Sequence, residues 1–204
     1  MNGLIYFNSS KYSDLKIRCE GQEFNAHKIV LCGQSKYFSA MCDGDWKEGV
    51  DGVIELKEDD ASVVKAMLHF LYRFDYDGSG NDQGRVSPMF FNSRVYSIAD
   101  KYDVPALRLL AKEKFEEAVG TCWNMDDFVH VIPEVYDSTP PTDRGLRDIV
   151  VKVTHEHIKT LLEKKEFQYA IEETVGFAAD IIRLMAGGGN LVRRKYECPN
   201  CNNF

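Results

Sequence analysis

The chain has 204 residues, 44% of them hydrophobic, which is enough apolar side chain to fill one sizeable core or two small ones. Against 25 Lys and Arg stand 32 Asp and Glu, and the resulting net charge of -7 repels phosphate backbones and anionic membrane surfaces, so neither direct nucleic-acid binding nor membrane binding is expected. No stretch approaches the roughly 18–20 uncharged apolar residues that cross a bilayer, and the N-terminal residues lack the basic start and apolar run of a signal peptide, so an intracellular protein, nuclear or cytoplasmic, is expected.

Residues 13–26 alternate as half-buried strands do, with Leu15, Ile17 and Cys19 on one side and Lys16 and Arg18 on the other. A hairpin follows, turning at Gly21-Gln22. From His27 the spacing of Ile29, Val30 and Leu31 and then of Tyr37, Phe38 and Met41 predicts two short helices broken near Gly33. Residues 52–56 form a third, β-branched strand, and Asp60 is placed to cap a helix whose buried face carries Val64, Met67, Leu68 and Leu71. That helix runs into residues 75–84, a polar, glycine-rich stretch expected to be a mobile loop.

Helical periodicity resumes with Phe91, Val95, Ile98 and Tyr102, stops at Asp103, and restarts at Pro105 with Leu107, Leu110, Ala111 and Ala118 as its apolar stripe. Beyond Val119 the pattern is helical throughout. A short piece is expected around Met125 to Val131, then a longer helix with Leu146, Ile149, Val150 and Val153 after the Thr139-Pro140-Pro141-Thr142 turn. One final helix would carry Ile171, Val175, Ala178, Ile182 and Met185 on its buried face and end at Gly187-Gly188-Gly189.

In the first block, Tyr12-Ser13-Asp14-Leu15, Phe24-Asn25-Ala26-His27-Lys28 and Ser35-Lys36-Tyr37-Phe38 are followed by Ile54-Glu55-Leu56, Met67-Leu68-His69-Phe70-Leu71-Tyr72 and Ala99-Asp100-Lys101-Tyr102. In order and spacing these pieces resemble the BTB/POZ family. The stretch from Tyr136 to Asp148 is similar to the C-terminal extension of fungal BTB proteins. The resemblance implies an α+β chain: a BTB/POZ domain over residues 8–119, in which helices cap a small sheet, an all-helical extension over 120–187, and a flexible tail over 188–204. It also implies a protein-interaction module, without catalysis, and a candidate substrate adaptor of a cullin-type ubiquitin ligase. A self-associating scaffold or transcription-associated oligomerisation domain is the alternative.

Trp46-Lys47-Glu48 sets a large aromatic two residues from a carboxylate in an expected loop, where an exposed Trp can fill a partner's pocket while the Glu accepts a charge-assisted hydrogen bond. By resemblance the position matches the hydrophobic-x-Glu motif with which BTB adaptors engage a cullin scaffold; the other reading has Trp46 covering the domain's own core. Family dimers rely on a long N-terminal helix, for which about a dozen residues before Ser13 leave little room. Leu4, Ile5, Tyr6 and Phe7 are therefore expected to make at most a short apolar contact in a weak homodimer.

His27 and Asp14 are recurrent in the family, and both are read as structural groups, a hydrogen-bonded histidine and a capping carboxylate. His155 and His157 point about 200° apart on a helix and cannot share one ion. Six cysteines without a secretory signal are expected as free thiols, with Cys19, Cys32, Cys42 and Cys122 packed among apolar neighbours. Cys198 and Cys201 have the spacing of half a zinc site, which needs four ligands; no cofactor is expected, and zinc is the one metal this pair could help to hold.

Overall fold

The computed structural model describes residues 6–43, 51–80 and 86–187. Strand β1 (Leu15–Cys19) buries Leu15, Ile17 and Cys19, as its alternation requires, and pairs antiparallel with β2 (Gln22–Ala26). The hairpin loop is Glu20-Gly21, one residue earlier than the sequence pattern placed it. Both residues have positive φ, 46° and 77°, the backbone of the tight turn whose twist matches that of the flanking strands. Two short helices, α1 (Lys28–Cys32) and α2 (Lys36–Asp43), carry the chain over to β3 (Val53–Glu55), which lies parallel to β1, so the sheet order is β2-β1-β3.

Helix α3 (Ala61–Arg73) starts where Asp60 accepts from the backbone N–H of Ser62 and Val63. Val64, Met67, Leu68 and Leu71 are buried, but so are Ala66, Phe70 and Tyr72, in a helix against which both α1 and the helix beginning at Pro88 pack. The following segment is packed as far as Gly80, contrary to a loop held only by solvent. Tyr76 is fully buried, its hydroxyl donates to Asn92 Oδ1 at 2.7 Å, and Asn92 Nδ2 donates to the Gly78 and Pro88 carbonyls. A single tyrosine thus anchors a stretch whose composition is otherwise that of a loop.

Helices α4 (Pro88–Lys101) and α5 (Pro105–Cys122) each begin with a proline, whose missing N–H costs nothing in a first turn. Helix α6 (Asp126–Ser138) is a full turn or more longer than its sequence suggested and runs through Pro133. An interior proline costs roughly 3 kcal/mol. Burial of Phe128, Val131, Ile132, Val135 and Tyr136 along the helix outweighs it. Helix α7 (Gly145–Leu161) buries the expected Leu146, Ile149, Val150 and Val153. Its first residue must be small, since a Cβ on Gly145 would run into the Tyr96 hydroxyl.

The last expected helix is two helices, α8 (Lys165–Glu173) and α9 (Phe177–Met185). Gly176, at φ 90°, breaks the run and turns the second helix, so the buried residues become Phe167, Ala170, Phe177 and Ile181. Val175, Ile182 and Met185, expected inside, are 91%, 61% and 57% exposed.

The strand-and-helix block and the helical block share one contiguous apolar core that extends from Leu15 to Ile181. Helix α6 packs on α4, and α7 on α5. Polar ties reinforce the seam: Arg94 Nε meets Glu134 at 2.9 Å, while the Asp143 carboxylate receives the Tyr96 hydroxyl at 2.8 Å and Arg108 Nη2 at 2.7 Å. Within the helical block the buried Asp180 collects the Tyr136 hydroxyl at 2.8 Å and, at 2.7 Å each, Arg144 and Arg183. Burial alone would raise both carboxyls. For Asp143 the Gly145 N–H, Arg108 and Tyr96 outweigh it, and for Asp180 Arg144, Tyr136 and Arg183 do, so both are held below the ordinary carboxylate value.

A carboxyl depressed in the folded state stabilises the fold at every pH above its unfolded value and loses that contribution as the pH falls through the folded one. Stability is therefore expected to drop below about pH 4, where free carboxylates protonate. Asp143→Asn and Asp180→Asn should each lower it at neutral pH by roughly 1–3 kcal/mol, a range that allows for the solvent reach of the arginines. Each should also flatten the acid limb. Urea titrations between pH 2 and 7 measure both effects, and an unchanged limb in both variants contradicts the assignment.

Candidate partner-binding face

One face of the strand-and-helix block is built around His27, which ends β2's extension and starts α1. Its backbone N–H donates to the Tyr72 hydroxyl at 3.0 Å, ring Nδ1 lies 2.7 Å from the same oxygen, and Nε2 lies 2.9 Å from the Lys11 carbonyl. A carbonyl can only accept, so Nε2 carries the hydrogen and Nδ1 accepts from the tyrosine. Burial pushes the Tyr72 hydroxyl up to about 12, so it stays a donor at neutral pH. Asp14 Oδ1 accepts from the Lys28 N–H at 2.7 Å and caps α1 from a neighbouring segment. Both groups are structural, as their sequence context suggests.

The N-terminal aromatics pack on this scaffold. Tyr6 meets the His27 ring edge-on at 5.8 Å, and Phe7 sits 5.2 Å from His69 and 5.8 Å from Tyr72. Leu4 and Ile5 lie outside the described residues. Beside these rings runs an apolar groove of about 450 Å³, lined among others by Tyr12, Val30, Leu71 and Phe74. Ile29 stands at its edge, 84% exposed, and Phe74 is 69% exposed.

Phe74 ends α3 in the left-handed region, at φ 58°, a conformation that a bulky side chain adopts at a cost of about 1–2 kcal/mol. Phe74 thus sets a large aromatic in solvent at the edge of the groove, on a backbone that such a side chain rarely adopts. Sequence reasoning missed both residues. For Ile29 a signal existed, since a five-residue helix bearing Ile29, Val30 and Leu31 in succession cannot bury all three; Leu31 alone is fully buried.

A second cavity, of about 590 Å³, opens where the start of α4, the end of α5 and the start of α6 meet, with Met89, Ala118, Cys122 and Met125 in its wall. Lys114 lies at its rim with its ammonium engaged by Asp75 Oδ1 at 2.7 Å and by the Tyr76 carbonyl. Trp46 and Glu48 lie outside the described residues, in the connection between α2 and β3, and Cys198 and Cys201 lie outside them as well. His155 is exposed, whereas His157 stacks flat on Trp123 at 3.5 Å, a packing role. Among the described residues no group of His, Cys, Asp or Glu is arranged to hold a metal ion, and no helix is long and apolar enough to cross a membrane.

The BTB/POZ domain family model matches residues 5–118. BTB/POZ and MATH domain-containing proteins 4 and 5 of Arabidopsis thaliana are each 23% identical to this chain, over 86% and 90% of its length. The chain spans only 37% and 45% of those relatives. The human germ cell-less protein-like 1 is 41% identical over 73 residues, 34% of this chain and 14% of that protein. These relatives are from plants and animals, so the fungal likeness rests on residues 136–148 alone. Among solved structures, the BTB domain of human gigaxonin aligns with 51% of this chain and 78% of its own, at 18% identity and a TM-score of 0.41. With its family model covering more than half of the 204 residues, the chain belongs to the BTB/POZ family, a family of protein-interaction domains.

Proposed function

We propose that this protein is a substrate adaptor for a cullin-type ubiquitin ligase, an interaction module that contributes surfaces and no catalytic group. The observation that carries this reading is Trp46-Lys47-Glu48, a hydrophobic-x-Glu sequence in the α2–β3 connection of a BTB/POZ domain. Trp46 supplies the apolar contact and Glu48 the polar anchor at the rim of the partner's pocket. The relatives named for both BTB/POZ and MATH domains support it in a coarser way, as proteins that join this domain to a second module.

Trp46→Ala should weaken binding to a purified cullin N-terminal region by roughly 2 kcal/mol or more, about thirtyfold, with little change in melting temperature, and Glu48→Ala should weaken it to a lesser degree. If Trp46 instead covers the domain's own core, its truncation costs about 3–5 kcal/mol of folding stability and lowers binding only through unfolding. Calorimetric titration and thermal melts of the three proteins separate these outcomes. Wild-type protein with no cullin affinity rejects the adaptor reading.

The groove beside His27 supports a second, compatible function, pairing with another copy of the chain. Ile29 projects from the same face that holds the groove, so a two-fold axis can seat each copy's Ile29 against the other's Tyr12 and Phe74, a self-complementary arrangement. The contact is small, and the dimer is expected to dissociate on dilution. Ile29→Glu buries a charge in that contact while leaving the exposed site's stability within about 0.5 kcal/mol. Sedimentation across a concentration series should show a reversible wild-type dimer and a monomeric variant. A dimer that persists at nanomolar protein, or one that Ile29→Glu leaves intact, contradicts this arrangement.

A further inference from the structure

Two of the half-buried cysteines belong to one small site. Cys32 is the last residue of α1, and Cys42 lies in the last turn of α2, which packs directly against α1. The Cys32 thiol donates to the Phe38 carbonyl at 3.5 Å. Phe38 is one helical turn before Cys42, and side chains on a helix lean back toward the preceding turn, so Cys42 projects over the turn whose Phe38 carbonyl receives the Cys32 thiol. Burial first, and then the adjoining Cys42 thiol, pushes the Cys32 thiol up to about 12; the Asp43 charge acts in the same direction and Lys28 against it. Each thiol is therefore part of the other's surroundings. Neither is sealed in the core, in contrast to Cys19, which is fully buried and donates to the Asp59 carbonyl.

We propose that Cys32 and Cys42 form a reversible intramolecular disulfide under hydroperoxide, making the α1–α2 pair a thiol-oxidation site. Cys32, whose thiol donates to the Phe38 carbonyl, is the resolving partner, and Cys42 reacts first. Its thiol gives up a proton, the sulfur attacks one peroxide oxygen, the O–O bond breaks, and the departing hydroxide takes up that proton as water, giving a sulfenic acid on Cys42. The Cys32 sulfur then displaces that hydroxyl, which departs as a second water with the thiol's proton, and the S–S bond closes. Two thiols lose two electrons in all, and one hydroperoxide takes them up. The bond staples the end of α1 to the last turn of α2 across the loop that contains Gly33, Gln34 and Ser35, and a dithiol reductant reopens it.

The test uses the full chain with Cys198→Ser and Cys201→Ser, which removes the tail's own dithiol. Stoichiometric hydrogen peroxide under native conditions, followed by alkylation and peptide mapping, should recover one linked peptide pair, Cys32 with Cys42, and a mass loss of about 2 Da, as expected when a disulfide forms. Cys19 and Cys122 should remain alkylated, and dithiothreitol should restore the starting pattern. In Cys32→Ser the resolving thiol is gone, and Cys42 should instead be trapped as a sulfenic acid by dimedone. Recovery of Cys32 and Cys42 as separate alkylated or sulfinic peptides in the parent overturns the proposal, as does a linkage of either to Cys19 or Cys122.

Discussion

Helix α4 is the element on which the rest of the structure depends, because it has too much apolar surface for one neighbour to cover. Met89, Phe91, Val95, Tyr96, Ile98 and Ala99 are all buried, and they face three partners, α3, α5 and α6. The first two belong to the BTB/POZ part and the third to the helical block. Without α6 one flank of α4 would stand in water, at a cost on the order of 25 cal/mol per Å² of apolar surface. The helical block is accordingly part of the same core, and the Asp143 carboxylate, held by Tyr96 and Arg108, fixes the register of the seam.

This arrangement leaves distinct apolar surfaces open to solvent. The groove beside His27 lies on the strand-and-helix part, its scaffold secured by the Tyr72 hydroxyl and the Lys11 carbonyl, which fixes its walls in advance of the proposed pairing. Such preorganisation lowers the ordering cost of association. The cavity at the junction of α4, α5 and α6 is walled mainly by α4 and α5, with Met125 and Asp127 closing it from the start of α6. On the outer side of the helical block, Val175, Ile182 and Met185 form a further exposed apolar set on and before α9.

How much of this the sequence discloses depends on whether a position is decided locally. The alternation of β1, the Asp60 cap, the prolines that open α4 and α5 and the buried set of α7 are local matters, and residue order displays them. Three features are decided by distant partners. Tyr76 is buried through Asn92, sixteen residues away, in a stretch whose composition is that of a loop. Pro133 stays helical because Phe128, Ile132 and Val135 are enclosed by other helices. The break at Gly176 exchanges one apolar stripe for another, and periodicity alone cannot choose between Ile181 and Ile182. The residues proposed to bind partners follow the same division: Trp46 and Glu48 stand out by motif, whereas Ile29 and Phe74 stand out only once their exposure and, for Phe74, its backbone are seen.

The central proposal is that the BTB/POZ part, and not the helical block, provides the cullin-docking surface. Hydrogen–deuterium exchange of the chain with and without a cullin N-terminal region tests this most directly, since it maps protection along the backbone without altering a residue. The account predicts slowed exchange in residues 44–50 and in the adjoining α2, with α8 and α9 unchanged. Protection confined to α8 and α9, or none anywhere at saturating partner, would contradict it.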